Sequence, residues 1–259
     1  MRAVAGCILV AAIFLSSLTR AAQPDVPTVA AASDLQFALE EIVAQFRKAT
    51  KHDVKLAFGS SGNFYRQIAQ GAPFELYISA DERFVHQLAD AGKTQDRGQV
   101  YATGRIVLYV PQASRLALDA ELGGLKAALG SGSIRRFAIA NPEHAPYGRA
   151  AEEALRKLGV WEAIRPRLVI GENVSQAAQF AAGGSTDGGI IAYSLVHAPQ
   201  LARRGRYQLI PESFHAPLHQ RMVLVKGAGA SARAFYRYLQ DPAARSVFRR
   251  YGFALPGEG

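Results

Sequence analysis

Cysteine is nearly absent from this 259-residue sequence, because Cys7 is the only one. Cys7 lies near the start of an apolar run instead of following one, so Val4-Ala5-Gly6 ahead of it does not make a lipid-attachment site. We therefore expect no lipid anchor. If the N-terminal segment is removed on export, the mature chain has no cysteine, which excludes disulfide bonds and thiol chemistry.

Long apolar runs are also absent after the N-terminus. Residues 4–18 form one apolar run, which follows the basic Arg2 and stops before Arg20. This length is typical of a secretory signal, whereas a membrane span needs roughly 20 apolar residues. Thr19 and Ala21 are the small residues of a cleavage site. We predict a cleaved signal peptide at residues 1–22 and a periplasmic mature protein.

Long basic runs, which would indicate a nucleic-acid partner, are missing as well. The formal charge is +9, but the basic residues alternate with acidic ones and the densest clusters are the short segments 203–206 and 249–250. Removal of Arg2 and Arg20 with the signal peptide would lower the charge to +7. We predict no nucleic-acid partner, and a basic surface that attracts anions at long range.

Motifs for common catalytic and metal sites are missing too. No Gly-x-Ser-x-Gly elbow occurs, so a serine hydrolase using Ser33 or Ser61 is a remote alternative. His215 and His219 have helical spacing, but Pro217 between them interrupts a helix. Glu143-His144 has no further ligands at a recognised spacing. We predict neither an enzyme nor a resident metal site.

What the sequence does contain is a regular alternation of strand-like and helix-like segments, typical of an α/β protein with mostly parallel strands. One βα series covers roughly the first hundred residues and a second begins at Arg105. We predict two lobes connected by crossing strands: residues 23–104 plus 223–259 form lobe I, and residues 105–222 form lobe II.

Small or hydroxyl residues follow four strand ends, where helices begin. They lie at residues 32–34, 60–62, 147–148 and 173–174. A helix N-terminus presents free N–H groups and a partial positive charge, so it binds anions without an ionised side chain. Any one of these positions alone is an ordinary helix cap. Facing each other across a cleft, the four would surround an oxyanion with donors.

Several segments, in order and over nearly the whole mature chain, resemble the periplasmic molybdate-binding proteins of ABC importers. The segments are 29–35 (VAAASDL), 59–63 (GSSGN), 71–76 (GAPFEL) with 79–82 (SADE), 141–148 (NPEHAPYG), 158–161 (LGVW), 171–174 (GENV) and 248–253 (FRRYGF). One of these motifs alone would be weak evidence, whereas the ordered set is specific.

The resemblance implies a two-lobed type II periplasmic-binding fold, with mixed, mostly parallel sheets and one tetrahedral oxyanion in the interlobe cleft. It implies high-affinity capture of molybdate, and of tungstate, for transient delivery to the membrane permease of an ABC importer. We expect a monomer with no cofactor. Molybdenum would enter only as the molybdate oxyanion, held by the same residues. Another oxyanion, such as sulfate or phosphate, is the alternative.

The resemblance also assigns oxyanion-binding residues. Ser33 and Ser61 match the hydroxyl donors of the family, and Val174 matches a backbone-amide donor. Tyr147 matches a position at which some members have alanine and others tyrosine. The expected oxyanion-binding residues are therefore Ser33, Ser61, Tyr147 and Val174.

Three further residues are weaker candidates. Tyr193 lies one position later than the family's ligand tyrosine, and successive strand residues face opposite sides, so we expect Tyr147 to supply the hydroxyl instead. Ser60 precedes Ser61 in the second loop. A carboxylate beside a dianion would repel it, so we expect Asp34 to turn away and cap the following helix.

Overall fold

Residues 26–257 are described by the structure, which is a computed structural model. The predicted signal peptide and Cys7 lie outside this range. Within it, no helix is both long enough and apolar enough to cross a membrane.

The first sheet has five strands in the order β2-β1-β3-β10-β4. The strands are β1 (Thr28–Ala32), β2 (Lys55–Gly59), β3 (Leu76–Ser79), β4 (Gln99–Gly104) and β10 (Leu218–Leu224). β1 lies between β2 and β3 and is parallel to both, whereas β10 is antiparallel to β3 and β4. The carboxyl ends of the three parallel strands therefore lie at the same edge of this sheet.

The second sheet repeats this arrangement in the order β7-β6-β8-β5-β9. The strands are β5 (Ile106–Pro111), β6 (Phe137–Ala140), β7 (Leu168–Gly171), β8 (Gly188–Ala192) and β9 (Gly205–Leu209). β6 is parallel to β7 and β8, and β5 is antiparallel to β8 and β9. The predicted α/β class with mixed sheets is confirmed.

Helices pack on the sheets. Their bounds are α1 (Gln36–Thr50), α2 (Ser61–Ala69), α3 (Glu82–Asp90), α4 (Gly123–Gly130), α5 (Pro146–Lys157), α6 (Trp161–Ile164), α7 (Val174–Ala182), α8 (Tyr193–Val196), α9 (Pro199–Ala202), α10 (Ala230–Tyr238) and α11 (Pro242–Arg250). The apolar face expected for α1 is buried, with Leu39, Ile42 and Phe46 fully covered. Its burial against the sheet stabilises the helix far more than helix propensity alone.

The chain crosses between the sheets twice. Arg105 separates β4 from β5, which agrees with the crossing expected near Arg105. The return crossing ends at Leu218, where β10 begins to pair with β4. The boundary expected after residue 222 therefore falls inside β10. The alternation of buried and exposed positions from Leu218 onward continues the strand through His219 and Arg221, whose polarity resembles a loop in the sequence.

Two helices begin at or beside the small or hydroxyl residues that follow strand ends in the sequence. α2 begins at Ser61, because the Ser60 hydroxyl oxygen accepts a hydrogen bond from the Asn63 amide and caps the first turn. α5 begins at Pro146, whose fixed φ suits the first helical position. Both starts place residues of the expected site in the first turn of a helix.

Candidate functional site

A small cavity lies between the two sheets, with a volume of about 10 Å³. This is about the space that one water molecule needs, and it is far below the several hundred Å³ typical of sites for drug-sized organic ligands. Ser33, Ser61, Tyr147 and Val174 all line it, together with the weaker candidates Ser60 and Asp34. Residues separated by up to 141 positions in the sequence are thus brought together around one small volume.

The strand ends explain this convergence. Ser33 follows β1, and Ser60 and Ser61 follow β2 in the first sheet. Tyr147 lies in the first turn of α5, after β6, and Val174 is the first residue of α7, after β7. All four positions are at the carboxyl ends of parallel strands, where open α/β sheets place their ligands.

The two site serines each keep a hydrogen to donate. The Ser33 hydroxyl oxygen accepts from the Ser175 amide at 3.3 Å, and the Ser61 hydroxyl oxygen accepts from the Ala80 amide at 3.0 Å. Both side chains are buried. Since each oxygen already accepts from a backbone N–H, its own O–H is oriented for donation elsewhere. Val174 adds a first-turn amide that its helix cannot use.

The cavity wall contains no cationic side chain among the residues that the structure describes. Its lining is Ala32, Ser33, Asp34, Gly59, Ser60, Ser61, Ala80, Ala145, Pro146, Tyr147 and Val174. An anion would therefore be held by hydroxyls, amides and helix N-termini. Asp34 is the exception in this wall, because it brings a carboxyl group to a site of donors.

Asp34 does not cap the following helix, contrary to the sequence-based expectation. Neither the short 3-10 helix Ser33–Leu35 nor α1 has a side-chain cap. Instead, Asp34 Oδ2 accepts from the Tyr147 hydroxyl at 3.0 Å and from Gln220 Nε2 at 2.7 Å. Burial raises the pKa of Asp34 from 3.8 to about 6, against the opposing effect of these hydrogen bonds.

Tyr193 does not line the cavity. It begins α8, and its ring packs against His197 at 4.6 Å and Tyr207 at 5.7 Å between ring centroids. A Cβ at Gly252 would lie 2.6 Å from the Tyr193 ring, so this ring is enclosed near the C-terminus.

Hydrogen bonds join the two sheets around the cavity. The Ser175 hydroxyl donates to the Ser33 carbonyl at 2.8 Å, and the Gly62 amide donates to the His144 carbonyl at 2.9 Å. Ser60 Oγ lies 2.8 Å from His144 Nδ1. These contacts hold the two sides of the cleft together.

An interlobe ion pair lies outside the cavity. Arg149 Nη1 of α5 is 3.0 Å from Asp81 Oδ2. Asp81 caps α3 and also pairs with Arg83. Backbone and side-chain hydrogen bonds from Arg83, with the charge of Arg149, outweigh burial and lower the pKa of Asp81. This carboxylate is therefore a fixed negative partner for closure.

Sequence reasoning missed several residues of the site, of which Gln220 is the most buried. Gln220 Nε2 donates to Asp34 and to Tyr147, and its Oε1 accepts from Tyr101 at 2.5 Å. The signal was present in the sequence as the alternation Leu218, Gln220, Met222, which places a glutamine on an inward strand face. The lobe boundary predicted after residue 222 assigns Gln220 to lobe II, away from Asp34.

The two histidines with helical spacing in the sequence do not share a helix. His219 lies in β10 and His215 precedes it, so the two are not on one helical face. Between residues 26 and 257, no group of three or more histidine, cysteine, aspartate or glutamate side chains is placed to hold a metal ion.

Comparisons with known proteins place the chain in a family. Residues 27–254 match the family described as bacterial extracellular solute-binding protein. A Rhodobacter capsulatus protein named molybdate-binding protein ModA is 38% identical over 217 residues, covering 83% of this chain and 82% of the relative. The Escherichia coli K12 protein of the same name is 34% identical over 236 residues, covering 88% of each chain.

Among solved structures, the periplasmic molybdate-binding protein of Azotobacter vinelandii superimposes with a TM-score of 0.81 at 29% identity. The match covers 89% of this chain and 99% of that one. The two five-stranded sheets flanked by helices are therefore the periplasmic-binding-protein fold. The chain belongs to the bacterial extracellular solute-binding protein family.

Proposed function

We propose that this member of the solute-binding family captures molybdate in the cavity between its two sheets. The observation that carries the proposal is the pair of buried serines, Ser33 and Ser61, whose oxygens already accept from backbone amides. Their hydrogens and the helix N-termini of α5 and α7 converge on one small cavity. The names of the relatives support molybdate as that anion.

Neutral donors suit a buried dianion. Each hydrogen bond to a charged group contributes about 1.5–3 kcal/mol, so several together can offset the cost of removing the anion from water. A cationic side chain would need desolvation of its own. Tungstate has the same tetrahedral shape and charge, so we propose that the site also accepts it.

Another oxyanion remains the second candidate, and one observation favours phosphate within that class. Asp34 is a hydrogen-bond acceptor in the cavity wall when it is ionised. A hydrogen phosphate can donate to such a carboxylate, whereas molybdate and sulfate dianions have no hydrogen to donate.

Calorimetric titration of the purified protein with molybdate, tungstate, sulfate and phosphate tests the assignment. We expect tight binding of molybdate and tungstate and much weaker binding of the other two, because on this proposal the donors of the closed site are spaced for the larger anions. Sulfate or phosphate binding as tight as molybdate binding would contradict the proposal.

We further propose that the protein works in the periplasm and passes its ligand to the permease of an ABC importer. The family description supports an extracellular solute carrier. On this proposal the signal peptide is cleaved near residue 22, and the carrier acts as a monomer without a cofactor. N-terminal sequencing of the exported protein and its mass in solution check these points.

The two sheets suggest two lobes that close on the ligand. We propose that lobe I contains residues 23–104 and the chain from Leu218 onward, and that lobe II contains the residues between. The sheet membership of β10 supports the shift of the second boundary from 222 to 217. Small-angle scattering with and without molybdate tests closure, which should reduce the radius of gyration.

Hydrolysis is a remote alternative. The serine that contacts a histidine beside the cavity is Ser60, not Ser33 or Ser61. Ser60 Oγ is 2.8 Å from His144 Nδ1, and His144 Nε2 is 3.5 Å from Glu172 Oε1. Ser60 is buried and caps α2, however, and the two groups belong to opposite sheets. We expect no turnover of an activated ester; turnover that disappears in Ser60→Ala would support the hydrolase instead.

A further inference from the structure

Asp34 is a carboxyl group in the wall of a cavity proposed to hold a dianion. Its side chain is only 2% exposed. Oδ2 accepts two hydrogen bonds, from Tyr147 and Gln220, whereas the buried Oδ1 has no partner among the described residues. A buried polar atom without a partner is costly, so an unpaired oxygen in a binding cavity indicates a contact made only with ligand.

In the cluster of Asp34, Tyr147 and Gln220, no hydrogen is left to donate to an anion. Tyr147 has one hydroxyl hydrogen, and it is donated to Asp34 Oδ2. Gln220 Nε2 donates to Asp34 and to the Tyr147 oxygen. If the Tyr147 hydroxyl turned to donate to an oxyanion, Asp34 would lose that hydrogen bond and remain a buried carboxylate beside two negative charges. One additional proton supplies the missing donor and removes the repulsion.

On the basis of the proposed function, we propose that the site binds its oxyanion dianion together with one proton, which is held by the Asp34 carboxyl group. The proton comes from solvent and joins a carboxylate oxygen to give a neutral carboxylic acid. No bond of the anion forms or breaks. The acid either donates from Oδ1 to the anion or donates from Oδ2 and frees the Tyr147 hydroxyl to do so.

The surroundings of Asp34 favour this protonation. Burial raises its pKa to about 6 before any anion is present. The titratable groups that couple to it are Tyr147 of α5 and Tyr101 of β4, whose pKa values burial raises well above 10. They therefore stay neutral near pH 7. An anion nearby would raise the pKa of Asp34 further.

Apart from Tyr147, the side chains that hydrogen-bond to the segment Ser33–Leu35 from other elements do not titrate. Ser194 of α8 donates to the Asp34 carbonyl at 2.7 Å. Ser175 of α7 contacts the preceding Ser33 and also donates to Gln36 of α1 at 3.2 Å. His144 contacts Ser60 of the cavity wall, so the experiment must distinguish a proton held by Asp34 from one held by this histidine.

Because proton binding and anion binding are linked, the extra proton makes the dissociation constant of the anion depend on pH. Above about pH 6 the free site has lost its proton, whereas the complex retains it. The dissociation constant of the complex should then rise by up to about tenfold for each pH unit, until the pKa of the complex is reached. Proton uptake should approach one per anion over the same range.

The test compares the wild-type protein with Asp34→Asn, which has the same shape and carries its own amide hydrogens. Molybdate binding is titrated from about pH 6 to two units higher, in buffers of different ionisation enthalpy, so that proton uptake is measured directly. We expect uptake near one proton for wild type and near zero for Asp34→Asn, whose affinity should be flat with pH and exceed that of wild type at the high end. Asp119→Asn, at a surface carboxyl beside α4, is the matched control and should keep the wild-type slope.

The possible results distinguish failure of the inferred proton uptake from failure of the proposed molybdate binding. Equal proton uptake by wild type and Asp34→Asn would place the proton on His144 or on the anion and overturn the inference. A pH-independent affinity for both proteins would also overturn it, while leaving molybdate capture intact. Absence of molybdate binding to wild type at every pH, with tight phosphate binding, would overturn the proposed function instead.

Discussion

The hydroxyl group of Tyr147 donates a hydrogen bond of 3.0 Å to the carboxyl group of Asp34, across the cleft between the two sheets. Tyr147 belongs to α5 beside the second sheet, and Asp34 follows β1 of the first. This one contact therefore links closure of the cleft to the charge state of its wall. Because Tyr147 has a single hydroxyl hydrogen, it cannot donate to an anion while that hydrogen is donated to an ionised Asp34.

Loss of the Tyr147 hydroxyl should weaken anion binding, whereas loss of the Tyr193 hydroxyl should not. Tyr147 lines the cavity, but Tyr193 packs against His197 and Tyr207 away from it. We expect Tyr147→Phe to raise the dissociation constant for molybdate about tenfold or more, in line with a lost hydrogen bond to a charged group. Titration of both variants checks this; the reverse pattern would return the ligand role to Tyr193.

Removal of either site serine hydroxyl should reduce affinity strongly. Ser33→Ala and Ser61→Ala each delete one buried donor, which corresponds to about 1.5–3 kcal/mol or roughly a 10- to 100-fold higher dissociation constant. Ser133→Ala, on an exposed loop, is the control and should bind like wild type. If both site variants bound molybdate normally, the hydroxyls would not be ligands.

A side chain at Gly62 should prevent full closure of the cleft. A Cβ there would lie 2.6 Å from the His144 carbonyl oxygen, which is backbone of the opposite side and cannot rotate away. We expect Gly62→Ala to lower molybdate affinity and to abolish the ligand-induced decrease in radius of gyration. The matched control is Gly130→Ala, where a Cβ meets open space. Unchanged affinity in Gly62→Ala would show that this contact does not limit closure.

The stability of the ligand-free protein should depend on pH through Asp34. Its folded pKa, about 6, exceeds its ordinary value of 3.8, so the folded state binds the proton more tightly. That stabilisation is fully present below about pH 4 and is lost as the pH rises through about 6. From about pH 5 to pH 8, the free energy of unfolding of Asp34→Asn should therefore increase by about 1–2 kcal/mol relative to that of wild type. Urea unfolding at both pH values measures this difference.

Asp119→Asn provides the contrasting control for this stability measurement. Asp119 accepts hydrogen bonds from the Gly123 and Gly124 amides, which lower its pKa. The ionised Asp119 stabilises the folded state above about pH 4. The loss of unfolding free energy in Asp119→Asn should therefore be nearly equal at pH 5 and pH 8. A pH-dependent difference in this variant, or none in Asp34→Asn, would contradict the assignment of the titrating group.

The sequence by itself determined the class of fold and the positions of most of its elements. Apolar runs at β1 and β6 and the spaced apolar residues of α1 follow from local periodicity, which the structure preserves. The helix starts at Ser33, Ser61, Tyr147 and Val174 were visible as small or hydroxyl residues after strands. Their assignment to one anion rested on family resemblance, because no single helix start specifies a ligand.

Tertiary structure alone decided which of these residues meet and what their hydrogens do. Gln220 joins Asp34 and Tyr147 only because β10 returns to the first sheet, a pairing between residues more than 70 positions apart. The expectation that Asp34 caps a helix was reasonable for an aspartate at a helix start, but burial between two sheets gave its carboxyl group stronger partners. Local sequence determines the helix or strand on which a side chain lies, whereas its charge and its hydrogen bonds depend on the distant segments that enclose it.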